Sequence, residues 1–113
     1  LENMLATAKA QGKPVMLDFY ADWCTYCKDY EKYIFPDAKV QKELDKFVLL
    51  QADVTAIDDT DKALMKKVGV LLPPAILFFN SNSQELRQLK IVGSMKANEF
   101  LKHLQDVLAS YSN

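Results

Sequence analysis

The sequence is poor in the residues that staple small proteins or bind metals, with two cysteines and one histidine in 113 residues. A disulfide scaffold carries more cysteines at wider spacings, so that class of protein is excluded. A zinc site that used both cysteines would need two further good ligands, and His103, which we expect to be a solvated residue on the polar side of the last helix, is a poor source of them. Three interpretations of the cysteines therefore stand: a redox pair, half of a zinc site, or two inert buried thiols.

Charge of one sign and long apolar runs are also lacking. The net charge is −1 and no basic stripe is present, which argues against a nucleic-acid partner. No apolar run is long enough to span a bilayer, so we expect no membrane insertion of this segment. The chain has no signal segment and begins with Leu1 rather than Met, which suggests a processed product or one domain of a longer protein.

Half of the residues are hydrophobic, which is enough for one core, and 113 residues leave no room for a second. We therefore predict a single domain over residues 1–113. Periodicity predicts helices over residues 1–11, 24–35 and 38–44. A fourth helix is expected to begin at a cap, Asp59 or Thr60, and to end at Gly69, and a last helix carries an apolar stripe from Phe100 to Tyr111. Strands are expected over residues 15–21, 47–52, 75–79 and 86–92, the last one polar and near an edge.

The order of these elements is α-β-α-β-α-β-β-α. The early β-α-β units imply parallel strands, and the short closing connection implies an antiparallel pair. We therefore predict an α/β fold in which helices flank both faces of a central mixed β-sheet.

Both cysteines lie at a strand-to-helix junction, in the motif Cys24-x-x-Cys27. A thiolate is the attacking species in disulfide exchange, and the N–H groups and dipole of a helix N-terminus favour that negative charge. We expect Cys24 to be the exposed nucleophile, which forms a mixed disulfide with a partner, and Cys27 to be the resolving thiol. The two thiols carry the two electrons, so no cofactor is needed.

Two carboxylates are candidates for tuning this pair. Asp18 lies in the middle of an apolar strand, where it is either a buried acid that takes the proton of Cys27 or an edge-strand residue facing water. Glu31 shares a helix face with both cysteines, where it either raises a thiol pKa or forms a solvated pair with Lys28 or Lys32.

Two further features lie near the pair in the predicted fold. Trp23 is either a semi-exposed contact surface for a partner, which we favour, or part of the core. Pro74 is a candidate cis proline that would sit across from the cysteines and leave the backbone of Pro73 free to pair with a peptide, and the alternative is a simple turn.

Over essentially its whole length the chain resembles the thioredoxin family. The resemblance rests on residues 18–28, with their Asp-Phe-Tyr-Ala-Asp-Trp-Cys-x-x-Cys-Lys motif, on residues 74–79, and on Val92-Gly93. It implies the thioredoxin fold, with Cys24 as nucleophile, Cys27 as resolving thiol, Asp18 as buried acid and Pro74 as cis proline. The implied substrate groove comprises Trp23, Thr25, Tyr26, Pro73, Pro74, Val92 and Gly93.

Within this family, residues 31–35, 48–56 and 76–79 resemble the C-terminal domains of the DsbD-type membrane thiol:disulfide interchange reductases. This implies a monomeric periplasmic domain of a bacterial inner-membrane protein. The domain would take electrons from a membrane-embedded domain and pass them to an N-terminal periplasmic domain, which serves disulfide isomerases and cytochrome c maturation. In this family Asp18 and Glu31 match acidic residues that keep the pKa of the nucleophile high.

The sequence also departs from the family pattern. Thr25-Tyr26 between the cysteines, Ala75 in place of a common Thr, and the double proline at Pro73 leave the reduction potential and the partner preference open. Two alternatives to the relay therefore stand: a free-standing thioredoxin-like reductase, and a non-redox peptide-binding module that uses the same groove.

Overall fold

A computed structural model describes residues 2–110, so the predicted helix residue Leu1 and the stripe residue Tyr111 lie outside the described part. The helices are α1 (Glu2–Gln11), α2 (Thr25–Asp29), α3 (Ala38–Leu44), α4 (Asp59–Val68) and α5 (Ala97–Ser110). A π-helical turn, Tyr30–Ile34, extends α2, and a 3₁₀ turn spans Arg87–Leu89. The strands are β1 (Val15–Tyr20), β2 (Val48–Asp53), β3 (Ala75–Phe79) and β4 (Ile91–Val92). No helix among residues 2–110 combines the length and the apolarity needed to cross a membrane.

The four strands form one mixed sheet in the order β2-β1-β3-β4. Strands β1 and β2 are parallel, as the first β-α-β unit predicts, and β3 and β4 are antiparallel, as the closing hairpin predicts. The expectation that the second β-α-β unit, formed by β2, α4 and β3, also has parallel strands is wrong, because β3 runs antiparallel to β1. Ala75 pairs with Phe19 while Asp53 pairs with Tyr20, so β3 begins at the end of the sheet where β2 finishes. The extended link between α4 and β3 can run back along the whole helix, since strand-like residues advance about twice as far as helical ones.

The predicted last strand is much shorter than residues 86–92. Only Ile91–Val92 form β4, at the sheet edge as expected, and the residues before it form the 3₁₀ turn. The Leu89 carbonyl is turned toward helix α5, where His103 Nε2 lies 2.5 Å from it. The Leu89 carbonyl is therefore hydrogen-bonded to a side chain of α5. The alternation of apolar and polar residues along the chain cannot reveal such a contact.

Helices cover both faces of the sheet, as predicted. On one face Leu17, Phe19 and Leu77 pack against α1 and α4. On the other face Met16 and Phe78 pack against the π-helical turn, α3 and α5. The alternation of β1 therefore points Asp18 to the same side as Met16, beneath the π-helical turn.

The helix ends follow local capping chemistry. Asp37 caps α3 through its carboxylate, as predicted after Pro36. Helix α4 is capped by Asp58 rather than by Asp59 or Thr60, because Asp58 and Asp61 form a reciprocal capping box. Gly69 ends α4 in the left-handed conformation, with φ of 72°.

Candidate active site

The two cysteines are joined by a disulfide at the N-terminus of α2, with their Cα atoms 5.3 Å apart. A tight turn in which Cys24 N donates to Ala21 O (3.0 Å) brings the chain from β1 to this position. Cys24 is the N-cap of α2, and its Sγ accepts the backbone N–H of Cys27 at 3.2 Å. The helix therefore directs an N–H donor at the sulfur that would carry negative charge in the reduced state.

Both sulfurs are shielded from solvent in this oxidised form. Cys24 is 5% exposed and Cys27 is 2% exposed, so the expectation that Cys24 is exposed is wrong here. The capping role explains the difference, because it turns Sγ of Cys24 back toward the helix and into the apolar cluster beside Ala21. Cys27 lies deeper, as predicted, with its Sγ 3.7 Å from the carbonyl oxygen of Phe19.

Asp18 is a buried carboxylate on the central part of the sheet. It is 8% exposed, and β1 lies between β2 and β3, so the edge-strand alternative is wrong. Burial raises the pKa of Asp18 from 3.8 to about 6; the Gln51 hydrogen bond opposes this rise and the charge of Glu31 adds to it. Among the described residues the hydrogen-bond partner of Asp18 is Gln51, not either sulfur.

Gln51 joins the two candidate carboxylates, and the sequence did not single it out. Its Nε2 lies 3.4 Å from Oδ2 of Asp18 and 3.3 Å from Oε1 of Glu31. Glu31 is exposed, yet it reaches this group from the π-helical turn instead of pairing with Lys28 or Lys32. The parallel register of β1 and β2 places Gln51 directly opposite Asp18. Aligning the two predicted strands in this register would have identified Gln51 as a neighbour of the buried acid.

A second group of hydrogen bonds fixes the loop that precedes Cys24. The Thr55 hydroxyl accepts the N–H of Asp22 at 2.9 Å and donates to Oδ1 of Asp53 at 2.5 Å. The Thr55 carbonyl accepts Nε1–H of Trp23 at 3.0 Å. Trp23 is 48% exposed, which confirms the semi-exposed position that was favoured for it. Thr55 is a further residue that sequence reasoning missed, since Asp22 and Trp23 lie more than 30 residues away from it in the chain.

The predicted groove residues fall into two groups. The Pro73–Pro74 peptide bond is cis, as proposed from sequence, and Gly93 N donates to Pro74 O at 3.2 Å. Val92 pairs with Ala75 beside this bond and is 72% exposed. The other group, Trp23, Thr25 and Tyr26, is exposed around the disulfide.

Tyr30 connects the helix of the cysteines to the groove. From its position in the π-helical turn, its hydroxyl donates to Gly93 O at 2.9 Å. Burial, together with the charges of Asp18 and Glu99, raises the pKa of Tyr30 to about 12, so the hydroxyl remains a donor at physiological pH. The sequence placed Tyr30 only as a helix position.

The position of His103 differs from the sequence-based expectation. It is half-buried rather than solvated, with its ring centroid 5.5 Å from that of Phe78 and its Nε2 beside Leu89 O. Its place in the gap between α5 and the 3₁₀ turn accounts for this burial. Within residues 2–110 no three side chains of His, Cys, Asp or Glu form a group that could hold a metal ion.

Comparison with known proteins gives consistent matches. Residues 1–108 match the family described as a thioredoxin-like domain. The chain is 54% identical over 102 residues to the thiol:disulfide interchange protein DsbD of Yersinia pestis, covering 90% of this chain and 17% of that protein. It is also 54% identical over 101 residues to DsbD of Escherichia coli K12, covering 89% of this chain and 18% of the relative. The chain therefore spans less than a fifth of the length of these relatives.

Solved structures give the same result at domain level. The oxidised C-terminal domain of Neisseria meningitidis DsbD superposes with a TM-score of 0.80 at 30% identity, covering 93% of this chain and 90% of that one. A Thermus thermophilus thioredoxin superposes with a TM-score of 0.80 at 27% identity, covering 95% and 82%. The described residues thus have the thioredoxin fold, and the chain belongs to the thioredoxin-like family, alongside the C-terminal domains of DsbD.

Proposed function

We propose that this domain carries out thiol–disulfide exchange through Cys24 and Cys27, as a reductive relay between protein disulfides. The observation that carries the proposal is the Cys24–Cys27 disulfide at the N-cap of α2, with the N–H of Cys27 directed at Sγ of Cys24. The same N–H would stabilise a Cys24 thiolate once the disulfide is reduced.

The exchange proceeds in two steps that balance in atoms and electrons. The Cys24 thiolate attacks one sulfur of a partner disulfide, an S–S bond forms between them, and the second partner sulfur leaves as a thiolate that takes up a proton. Cys27 then loses its proton and attacks Sγ of Cys24, which reforms the internal disulfide and releases the reduced partner. Two electrons pass to the partner, and a dithiol upstream restores the reduced pair.

Asp18 and Glu31 have tuning roles in this scheme. Asp18, with a pKa of about 6, is mostly ionised at pH 7, so it can accept the proton of Cys27 through water. In this proposal the negative charges of Asp18 and Glu31, which share the amide of Gln51, also raise the pKa of Cys24 against the pull of the helix dipole. In this proposal a Cys24 thiol that is held protonated in this way reacts chiefly when a partner docks.

The relatives support a proposal for the cellular context. Proteins called DsbD are thiol:disulfide interchange proteins, and this chain corresponds to under a fifth of their length. We infer a single periplasmic domain of a longer inner-membrane protein, which draws electrons from a membrane-embedded domain and delivers them to an N-terminal periplasmic domain. The domain acts as a monomer and without an added cofactor in this proposal.

Trapping tests the proposal. In the full-length protein, Cys27→Ser should accumulate mixed disulfides through Cys24, because the attacking thiol remains and the resolving thiol is lost. Cys24→Ser is the matched control and should trap far less. A folded Cys27→Ser protein that traps no partner in cells would overturn the relay and favour the non-redox binding module. A membrane-spanning region in the full-length gene separates the relay from a free-standing reductase, and a reduction potential near that of strong oxidants would reverse the direction of electron flow.

A further inference from the structure

Two different surface features meet at Gly69, where α4 ends. One is an apolar groove of about 150 Å³ that is lined by Gly69, Val70, Leu71, Leu72, Ala75 and Val92. Leu71 is 92% exposed, so this groove presents uncovered apolar surface. The other is a basic pocket of about 360 Å³, whose charged lining consists of Lys66, Lys67, Glu85, Arg87 and Lys90.

The two features are held together by direct contacts. Lys90 Nζ donates to Gly69 O at 3.1 Å, which ties the approach to β4 to the end of α4. Lys90 is also only two residues before Val92, which lines the groove. The basic pocket is therefore continuous with the apolar groove.

The pocket keeps an excess of positive charge after its own ion pairs are considered. Lys67 is paired with Glu2 in an exposed pair, and Arg87 Nε lies 3.9 Å from Glu85 Oε1, near the outer limit for an ion pair. The exposed Lys67 pair contributes little, the Arg87 contact is long, and a single carboxylate faces four cations in this lining. The whole chain has a net charge of −1, so the positive charge is a local feature of this surface.

The dipole of α4 explains only two of the four cations in this pocket. Lys66 and Lys67 lie in the last turn of α4, where cations complement the helix dipole. Arg87 and Lys90 come from the 3₁₀ turn and the chain leading into β4, and the dipole of α4 gives no reason for cations there. The convergence of two chain segments on one pocket favours binding of an anionic group.

We propose that the protein segment docked by this domain carries acidic side chains at the far end of an apolar flank of its disulfide, and that Lys66, Arg87 and Lys90 receive them while the apolar flank covers Leu71 and Val92. The inference rests on the proposed function and specifies its partner. An anionic bilayer is the less favoured occupant, because a membrane lying on the basic pocket would also cover the adjoining groove. Complementary charge of this kind acts mainly on the association rate and is screened by salt.

Peptide disulfides of matched sequence provide the test. Three short cyclic peptides share one disulfide and one apolar flank, and differ only in carrying two Glu, two Gln or two Lys residues at the far end of that flank. Each oxidises the reduced protein, and the rate is divided by that measured with uncharged hydroxyethyl disulfide. At low salt we expect the Glu peptide to react about tenfold faster than the Lys peptide, and at high salt we expect the difference to disappear.

Charge reversal locates the effect. Lys66→Glu combined with Arg87→Glu should reverse the order of the Glu and Lys peptides. Lys39→Glu combined with Lys42→Glu changes the net charge equally on α3, on the other face of the sheet, and should preserve the order. Equal rates for the Glu and Lys peptides, or reversal by the α3 variant as well, would overturn the proposal.

Two further outcomes separate the competing explanations. If the Lys66 and Arg87 variant loses binding to phosphatidylglycerol vesicles but keeps the wild-type peptide order, the pocket is a membrane contact and the proposal is wrong. If neither the peptides nor hydroxyethyl disulfide oxidises the reduced protein, the exchange reaction itself fails, and not merely the charge preference.

Discussion

Gln51 lies directly opposite Asp18 in the parallel register of β1 and β2, and its amide approaches Oδ2 of Asp18 at 3.4 Å. The same amide approaches Glu31 at 3.3 Å, so one neutral donor is shared by two carboxylates. The ionised state of Asp18 therefore depends on a residue of the neighbouring strand as well as on its own burial.

Replacing Gln51 with Leu should raise the pKa of Asp18 above its present value of about 6. The hydrogen bond from Gln51 stabilises the carboxylate, while burial and Glu31 favour the protonated form, so removing the donor leaves only the raising influences. The measurement is an NMR titration of the Asp18 carboxyl carbon in the oxidised protein. Gln105→Leu, at an exposed position on α5, is the control and should leave that titration unchanged. An unshifted or lowered midpoint in Gln51→Leu would contradict the assignment.

Asp18→Asn should flatten the pH dependence of stability between about pH 4 and 6. The folded-state pKa of Asp18 is raised from 3.8 to about 6, so its protonated form stabilises the fold below this window, and that stabilisation is lost as pH rises through it. A shift of this size corresponds to at most about 3 kcal/mol. Urea unfolding of the oxidised protein at several pH values gives the difference between variant and wild type. A curve for Asp18→Asn that runs parallel to that of wild type would refute the prediction.

The same substitution should alter the chemistry of the reduced protein. Asp18→Asn removes a negative neighbour and a proton acceptor, so we expect a lower pKa for Cys24 and slower resolution of mixed disulfides. Thiolate absorbance against pH measures the first effect, and stopped-flow release of a trapped peptide measures the second. An unchanged thiol titration would rule out Asp18 as the tuning group.

The sequence predicts those parts of the site that have a local signal. Asp18 among apolar strand residues indicates a buried acid, and Cys24 before a helical pattern indicates a helix N-terminus, and both positions are confirmed. Gln51 and Thr55 have no such signal, because their importance comes from partners 33 residues away in the chain. The π-helical turn is also hidden, since its hydrophobic spacing is compatible with an ordinary helix.

The strand directions show the same limit of prediction from local sequence. Connection length predicts the parallel β1–β2 pair and the antiparallel β3–β4 pair, and both are observed. The direction of β3 depends on how far the link after α4 extends back along the helix, which is a property of packing rather than of local composition.

Tyr30→Phe should weaken the connection between the π-helical turn and the groove. The variant keeps the ring and removes only the hydroxyl that donates to Gly93 O at 2.9 Å, which should cost about 1 kcal/mol of unfolding free energy. The KM for a protein disulfide should rise more than kcat falls, because Gly93 adjoins the cis Pro74 in the groove. Tyr33→Phe removes an exposed hydroxyl from the same turn and is the control. Equal effects of the two variants on KM would show that the Gly93 contact plays no part in docking.

Thr55→Val should loosen the loop that carries Trp23. The substitution keeps the shape of the side chain but removes the hydroxyl that accepts from Asp22 N and donates to Asp53. The bonds from Thr55 lower the pKa of Asp53, so that pKa should rise toward its ordinary value in the variant.

Trp23 reports on this loop directly, because it is the only tryptophan of the chain. Its indole donates to the Thr55 carbonyl, so release of the loop should shift its emission to longer wavelength and lower its anisotropy. Thr55→Ser keeps the hydroxyl and should retain the wild-type spectrum and the low pKa of Asp53. If Thr55→Val shows wild-type anisotropy with a raised Asp53 pKa, the hydroxyl tunes Asp53 without positioning Trp23, and the loop must be held by the backbone alone.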